Sequence, residues 1–441
     1  MDQKEYIKKI NSEFNSSKVN GVFKNSVKNF REKDIPDYKI PSGCAIFGII
    51  DENGKLFDGR MIIDGITMMH DRSNGLGGGF AAYGIYPEYK DKYAFHIFYD
   101  DSIARKETEI FLHKAFKIFY ADEIPTKKIP SIANSPILAR YFVFPKNIYS
   151  DIEENNLDNN NINMNDEDLT YAQEEFVSRF ISNFNSDSNG AYIISSGKNM
   201  GIFKGVGYPE EIAEFYKLDE YKAYLWTSHG RFPTNSTGWW GGAHPFGFLN
   251  WSVVHNGEIS SYGTNKRFVS GFGYKCSFST DTEVLAYLFD LLVRKHKISL
   301  YLINYILAAP LWDEIEILPD NIKEFLKALR IIYGRALVNG PFSIIVANNN
   351  FMYALNDRIK LRPLVAAKKG SLTFVSSEES AIRKVCSSPD IIWSPGGGEP
   401  VITFLKGNGL EKQISTNDIN KNNFFEAINE FDKNTLALLG S

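Results

Sequence analysis

Four groups of residues that could do chemistry stand beside apolar runs of strand-like or helical character. Cys44 precedes the run AIFGII, and Arg231 comes three residues after KAYLWTS. Asn256-Gly257 closes WSVVHNG, and Asp281 opens DTEVLAYLF. A thiol is a nucleophile, and a guanidinium holds a carboxylate through two parallel hydrogen bonds. An Asn amide beside a glycine N–H can aim two donors at one oxyanion.

Each of these residues also has a simpler structural explanation when it is taken alone. Cys44 fits a small buried apolar side chain, and Arg231 fits a surface ion pair. Asn256-Gly257 is a strong hairpin-turn dipeptide, and Asp281 fits a helix cap. What favours chemistry is the whole set in this order: a Cys that opens a strand, an Arg after a strand, Asn-Gly after a strand and an Asp at the start of a helix.

The runs that position these residues are mostly strands. Runs rich in β-branched and aromatic residues, bounded by Gly, Asn and Pro, predict strands at 45–50, 79–86, 93–99, 190–196, 222–228, 251–256, 341–348, 351–356, 372–377 and 399–405. Helical patterns predict helices at 281–296 and 321–333, and YDDSIARKETE (99–109) is interpreted as a loop. Because strands dominate and often follow one another over short turns, we predict an α+β fold with antiparallel sheets.

Composition argues against several classes of protein. The chain has 441 residues and a net charge of −4, whereas a nucleic-acid surface needs clustered Lys and Arg. The sequence has no apolar run of transmembrane length, and its first residues lack the apolar core of a secretory signal. Three cysteines (Cys44, Cys276 and Cys386) are too few for a disulfide framework, so we predict a cytoplasmic protein. No Cys/His cluster has metal-ligand spacing, so no metal site is predicted.

Three segments lie outside the strand-rich pattern. Residues 1–43 are polar and rich in Lys and Asn, and residues 406–441 follow the last predicted strand as a C-terminal extension. Residues 150–170, SDIEENNLDNNNINMNDEDLT, are Asn-rich and acidic and contain no aromatic residue. Such a segment buries too little apolar surface to order itself, so we predict a solvated, disordered insertion loop.

Eight motifs, taken together and in order, resemble the class II glutamine amidotransferases, which are N-terminal-nucleophile hydrolases. They are CAIFGI, MMHDRSNGLGGGFAAYG, HGRFPTN, AHPF, HNGEI, STDTEVLAYL, ALNDRIKLRPLV and VSSEESAI. Each motif is weak alone, but their joint order is specific. The resemblance covers residues 44–405, which we predict to be one amidotransferase domain. The wide separation of Cys44 from Arg231 and the AHPF…HNGEIS pattern most resemble the stand-alone amidotransferase subunit of glutamate synthase.

The resemblance implies a fold and a reaction. The fold is a four-layer α-β-β-α sandwich of two antiparallel sheets. The reaction is hydrolysis of L-glutamine to glutamate and ammonia through a thioester on Cys44. By position in the motifs, Asn256 and the N–H of Gly257 would stabilise the tetrahedral oxyanion.

The resemblance also implies how glutamine would be held. Arg231 would bind the α-carboxylate, and Thr234 would add a hydrogen bond to it. Asp281 would hold the α-ammonium, and His244 belongs to the same substrate-binding set.

Two tryptophans and two histidines near Arg231 leave alternatives open. Trp239 and Trp240 suit either a lid over the glutamine pocket or aromatic packing in the core. His244 and His255 fit hydrogen bonds that orient the backbone better than proton transfer.

In this class the mature chain begins at the nucleophilic cysteine, whose α-amine is the general base. An α-amine titrates near ~7.7–8.0, so it is a usable base at neutral pH. Residues 1–43 therefore resemble a leader, or propeptide, that is removed, and Gly43 would let the chain bend at the cleavage point. Two departures stand out: Ala45 replaces the glycine that usually follows the nucleophile, and Pro233 lies within the arginine motif.

The chain carries no motif for a second reaction, so the resemblance implies a partner. No cofactor is expected on this chain, and FMN and an iron–sulfur cluster are expected on a synthase subunit that accepts the ammonia. Membrane and nucleic-acid partners are not expected. Two alternatives remain open: the amidotransferase-like subunit of a related enzyme such as N-methylglutamate synthase, or a non-catalytic glutamine-binding or regulatory subunit if the leader is kept.

Overall fold

The computed structural model describes residues 43–132, 134–146, 166–187, 190–232 and 238–407. The predicted leader, apart from Gly43, and the predicted C-terminal extension beyond residue 407 lie outside these residues. The strands are β1 Ala45–Asp51, β2 Phe57–Asp58, β3 Gly78–Tyr83, β4 Tyr93–Tyr99, β5 Phe116–Glu123, β6 Ile137–Pro145, β7 Ala191–Ser195, β8 Met200–Gly205, β9 Lys222–Ala223, β10 Leu225–Gly230, β11 Phe246–Phe248, β12 Trp251–Gly257, β13 Phe342–Asn348, β14 Phe351–Asn356, β15 Val365–Lys369, β16 Leu372–Ser376, β17 Ile391–Trp393 and β18 Val401–Phe404.

Most of the helices lie in the chain between successive strands of the same sheet. They are α1 Arg60–Thr67, α2 Ser102–Ala115, α3 Asp166–Asp187, α4 Pro209–Phe215, α5 Tyr262–Ser270, α6 Asp281–Phe289, α7 Leu300–Leu307, α8 Trp312–Glu316, α9 Asp320–Ile332 and α10 Glu379–Val385. A π-helical segment, Asp290–Lys295, continues α6. Within the described ranges, no helix is both long and apolar enough to span a bilayer.

Strand β1 lies inside the largest sheet, a seven-stranded antiparallel sheet with the order β17-β15-β16-β1-β10-β3-β8. All seven residues of β1 are buried, which explains its continuous apolar sequence. Ala45 pairs with Gly230 at the end of β10, so the extra methyl of Ala45 packs over a residue without a side chain. The pairing brings the start of β1, and Cys44 before it, beside the end of β10.

The second sheet has the antiparallel order β11-β12-β13-β14-β18 and packs face to face on the first. The approach is close at Gly48, where a Cβ would lie 2.9 Å from Met352 Sδ. Helices α1, α4 and α10 cover the outer face of the first sheet, and α6, α7 and α9 pack on the outer face of the second. The predicted four-layer α-β-β-α sandwich is therefore confirmed.

A third sheet, with the order β5-β6-β4-β7, was not predicted as a separate sheet. Helices α2 and α3 pack on it. Its buried side chains join one continuous core with the outer face of the second sheet and with α6, α7 and α9. This sheet is thus an integral part of the domain.

Two loop predictions were wrong in part. Residues 102–115 form α2, because Asp101 caps the helix by accepting hydrogen bonds from the N–H groups of Ile103 and Ala104 at 2.8 and 2.9 Å. Of the predicted insertion loop 150–170, residues 150–165 lie outside the described residues, whereas 166–170 begin helix α3. Its first turn carries three acidic residues, which are favourable at a helix N-terminus.

Candidate active site

Five of the seven predicted site residues line one cavity of about 290 Å³. They are Cys44, Arg231, His244, Gly257 and Asp281. These residues come from the start of β1, the ends of β10 and β12, the start of α6 and the segment before β11. Asn256 lies next to the cavity without lining it. Thr234 lies outside the described residues.

The Cys44 thiol sits where β1 and β10 meet. Its sulfur accepts a hydrogen bond from the N–H of Phe232 at 3.4 Å. The Cys44 carbonyl accepts one from Arg72 Nε at 3.1 Å, and Arg72 also forms an ion pair with Glu378. Burial raises the pKa of the thiol, although the Phe232 N–H and the positive charge of Arg231 act in the opposite direction. A base that removes the thiol proton is therefore needed at neutral pH.

Arg231 is fixed through its backbone just after β10. Its N–H donates to the Gly77 carbonyl at 2.8 Å, and its carbonyl accepts from Ser73 Oγ at 2.9 Å. A Cβ at Gly77 would lie 3.0 Å from Arg231 Cδ, so a glycine there leaves room for the arginine side chain. Burial lowers the pKa of Arg231 below its ordinary value, but a guanidinium stays charged in proteins.

Asp281 begins α6 directly after the capping residue Thr280. Its carboxylate accepts hydrogen bonds from the Ile259 N–H and the Thr282 hydroxyl, both at 3.2 Å, and lies 3.5 Å from His255 Nδ1. Burial raises the pKa of Asp281, but His255 and these hydrogen bonds outweigh it and hold the pKa at about 2. The cavity therefore presents an anion from Asp281 and a cation from Arg231.

Gly257 lies at the cavity wall, with a positive φ of 144°. A Cβ there would stand 1.9 Å from the Pro341 carbonyl oxygen, so only glycine fits. The neighbouring Asn256 is fully buried, and its Nδ2 donates to Ser377 Oγ at 3.2 Å. Its Oδ1 has no hydrogen-bond partner among the described residues.

Two histidines near the cavity, His229 and His244, are held neutral. Burial lowers the pKa of His229 to about 3 and puts the pKa of His244 well below its ordinary value. The two rings lie 4.3 Å apart. His229 Nε2 donates to the carbonyl of His255 at 2.9 Å, so this ring orients backbone.

The two tryptophans have different environments. Trp239 lines the cavity, and its ring stacks on Phe278, which lines the same cavity, with centroids 5.8 Å apart. Trp240 instead packs against Phe98 and Phe215. The first thus belongs to the cavity wall and the second to the core.

Sequence reasoning missed several residues of the cavity and its surroundings. Glu258 and Tyr262 line the cavity, and Arg72 and Arg362 approach the backbone at Gly43. Three of these four lie inside motifs already quoted: Arg72 in MMHDRSNG, Glu258 in HNGEI and Arg362 in DRIKLRPL. Their place in these motifs could have marked the three residues as candidates, but the motifs alone did not show which side chains face Cys44.

The fold is of the N-terminal-nucleophile hydrolase type, and comparison with known proteins gives the family. The family model of class II glutamine amidotransferases matches residues 145–388, a range that contains Arg231, Asn256 and Asp281 but begins after Cys44. The chain belongs to this family.

Three relatives show different degrees of similarity to this chain. A protein of Archaeoglobus fulgidus, described only as uncharacterized, is 48% identical over 386 residues, which are 86% of this chain and 97% of that protein. A putative glutamine amidotransferase of Methanothermobacter thermautotrophicus is 26% identical, and the match spans 45% of this chain and 57% of that relative. The amidophosphoribosyltransferase of Methanocaldococcus jannaschii is 23% identical over 49% of this chain and 41% of its own length.

Among solved structures, the glutamine phosphoribosylpyrophosphate amidotransferase from B. subtilis matches 81% of this chain and 47% of its own chain. Its sequence identity is 15% and its TM-score 0.39. At these values the similarity adds nothing to the family assignment.

Proposed function

We propose that this protein hydrolyses L-glutamine to glutamate and ammonia through a thioester on Cys44. The observation that carries the proposal is the convergence of the Cys44 thiol, the Arg231 guanidinium and the Asp281 carboxylate on one cavity of about 290 Å³. Sites for drug-sized ligands measure about 300–1,000 Å³, so this cavity suits a molecule as small as one amino acid.

Charge complementarity supports an α-amino acid as the substrate. Arg231 offers a planar guanidinium for the α-carboxylate, and the ionised Asp281 offers an acceptor for the α-ammonium. The two charges are fixed on different elements, after β10 and at the start of α6. Two charged anchors orient the substrate and leave its side-chain amide for the thiol.

The chemistry needs a base for the thiol, and we propose the α-amine of Cys44 once residues 1–43 are removed. The amine takes the thiol proton as sulfur attacks the amide carbon. It then gives the proton to the departing ammonia, and water hydrolyses the thioester to glutamate. Neither His229 nor His244 suits this role, because burial holds the pKa of each ring far below neutral pH.

The oxyanion would be held by the Gly257 N–H and the amide of Asn256. One of the two N–H donors of its Nδ2 is used by Ser377 Oγ, and we propose that the amide turns to free both. A half-turn of the amide exchanges its oxygen and nitrogen. The Ser377 hydroxyl, which already accepts from the Ile46 N–H at 3.2 Å, can then donate to Oδ1. Such a turn gives the buried Oδ1 a partner and frees Nδ2 to donate to the oxyanion.

The ammonia needs an acceptor. We propose that a partner synthase in the cytoplasm accepts it and that this partner is glutamate synthase. FMN and an iron–sulfur cluster would belong to that partner, with no cofactor on this chain. The amidotransferase-like subunit of N-methylglutamate synthase and a glutamine-binding regulatory subunit are the competing assignments. Purification from the native host with the bound partner distinguishes a synthase subunit from a regulatory subunit, because an iron–sulfur flavoprotein in the complex is expected only for a synthase, and the keto acid and amine that the complex uses then identify which synthase it is.

The hydrolysis itself is tested on the purified chain. Intact mass should show a chain that begins at Cys44, and glutamate release from glutamine should be lost in Cys44→Ala. Cys386→Ala is the matched control, since that residue does not line the cavity. A chain that keeps its leader and binds glutamine without releasing glutamate would overturn the hydrolase proposal in favour of the binding subunit.

A further inference from the structure

Two arginines flank the Gly43–Cys44 junction and have no part in the steps above. A Cβ built on Gly43 would lie 3.4 Å from Arg362 Nη1 and 3.4 Å from Arg72 Nη2. Arg72 Nε also donates to the Cys44 carbonyl at 3.1 Å. With ordinary bond lengths, these contacts put both guanidiniums within about 7 Å of the Cys44 nitrogen.

The two arginines differ in how their charges are balanced. Arg72 forms an ion pair with Glu378 at 2.9 Å, so the pair is close to neutral as seen from Cys44. Arg362 has no ion-pair partner among the described residues, and its buried Nε has no hydrogen-bond acceptor among them. Its backbone N–H donates to Asp357 Oδ2 at 3.2 Å, which fixes the loop that carries it. The uncompensated charge at the junction is therefore that of Arg362.

We propose that the guanidinium of Arg362 keeps the α-amine of Cys44 neutral at neutral pH, so that the amine can accept the thiol proton. Arg362 is thus a positioning residue, which acts on the reaction only through the amine. A cation close to an amine disfavours the protonated form of that amine. The inference rests on the proposed function, because this amine exists only when Cys44 is the first residue of the chain.

The remaining charges that face Cys44 come from other elements and partly cancel. Arg231 after β10 and Asp281 at the start of α6 have opposite signs and both act on the thiol. Glu258, after β12, lines the same cavity and acts on Arg231. Arg362 also lowers the pKa of the thiol, against the larger effect of burial, so it favours loss of the proton from both groups.

The expected shift follows from Coulomb's law. One unit charge at about 7 Å shifts a pKa by about 0.5 to 1.5 units for effective dielectric constants between bulk water and a protein surface. An unperturbed α-amine titrates near ~7.7–8.0. We therefore expect the amine of Cys44 in the processed protein to titrate near or below about 7.

The experiment measures the amine directly and through the rate. Competitive acetylation over a pH series, followed by hydroxylamine to remove thioesters and mass spectrometry of the N-terminal peptide, gives the pKa of the amine. The acid limb of the pH profile for glutaminase kcat/KM gives the same quantity kinetically. Arg362→Gln should raise both values by about 0.5 to 1.5 units, whereas Arg362→Lys should keep most of the wild-type value.

A second substitution predicts the opposite sign. Glu378→Gln removes the charge that balances Arg72, so it should lower the pKa of the amine and move the acid limb to lower pH. Arg60→Gln is the matched control, because Arg60 is a surface arginine, 73% exposed, paired with Asp58. It should change neither quantity. A purely structural role for these residues would not give shifts of opposite sign.

The outcomes separate this inference from the proposed function. An active wild-type protein whose amine titrates at its ordinary value overturns the role of Arg362. An acid limb that does not move in Arg362→Gln overturns it equally. A wild-type protein that keeps its leader, or that releases no glutamate, instead overturns the proposed function. If Arg362→Gln does not fold, the wild-type amine pKa still decides the matter: an ordinary value overturns the role of Arg362, and a lowered value supports it.

Discussion

Replacement of Asp281 by Asn should weaken glutamine binding by removing one charge and almost no volume. The carboxylate is buried and has a pKa of about 2, so it is ionised throughout the working pH range. An ion pair at about 4 Å is worth about 4 kcal/mol at an effective dielectric constant of 20. Because the Asn amide oxygen still accepts one hydrogen bond from the substrate ammonium, we expect a net loss of about 2 to 3 kcal/mol. This loss corresponds to about 30- to 150-fold weaker binding.

The assay compares two ligands on two proteins. Glutamine carries the α-ammonium, and glutaramate is the same molecule without it, so glutaramate inhibition should be nearly equal for wild type and Asp281→Asn. Binding can be measured at pH 7 in the Cys44→Ser background, which slows turnover. Asp101→Asn removes another carboxylate at a helix start, the cap of α2, and should change neither affinity.

The same substitution has a separate cost in stability. The pKa of Asp281 falls from 3.8 to about 2 on folding, a difference of about 2 kcal/mol. This contribution is present above pH 3.8 and is lost as the pH falls towards 2, so the folded fraction of Asp281→Asn must be checked by thermal melting. An equal loss of affinity for both ligands, or no loss for glutamine, would refute contact between Asp281 and the α-ammonium.

Three further predictions test the site and the packing that supports it. Cys44→Ala should abolish glutamate release and change the melting temperature by less than about 2 °C, because within the described part of the chain the sulfur has only one well-formed hydrogen bond, from the Phe232 N–H. Calorimetry checks this. Gly65→Ala should cost about 1–3 kcal/mol by overpacking, since its Cβ would stand 1.9 Å from the Phe47 ring. Gly263→Ala should be neutral or stabilising, because its Cβ would make only an ordinary contact with Arg267 Nη1 at 3.5 Å. Urea midpoints of the two variants should move apart. Burial raises the pKa of Glu283 from 4.5 to about 7, so the folded state holds a proton that the unfolded state loses. The free energy of unfolding of the wild type should therefore fall by up to about 3 kcal/mol between pH 5 and 7. Glu283→Gln should remove this dependence of stability on pH, and a dependence that persists would contradict the assignment.

The sequence predicted best those elements whose apolar runs are fully buried. Strands β1, β4, β12, β13 and β14 lie within a residue or two of the predicted ranges, because burial on both faces produces continuous runs of β-branched and aromatic residues. The prediction missed β5, in which Phe116 is buried while Phe119 and Tyr120 are exposed. A strand at the edge of a sheet has no such continuous apolar signal.

Site residues were predictable as types and less so as contacts. Cys44, Arg231, Gly257 and Asp281 stood out because they end or begin elements, and the structure brings these four to one cavity. The hydrogen bond from Asn256 to Ser377 was not foreseeable. It joins residues 121 positions apart and depends on how β12 approaches the end of β16, which no local pattern encodes.

The central place of β1 has a consequence for the order of events during synthesis. Its two neighbours are β10, which ends at Gly230, and β16, which ends at Ser376. Strand β1 therefore leaves the ribosome long before β16 has been synthesised. Until then, one side of β1 lacks its backbone hydrogen-bond partners. A nascent chain should consequently complete the backbone pairing beside Cys44 only after residue 376 has been synthesised, so the cavity next to the thiol forms late in synthesis.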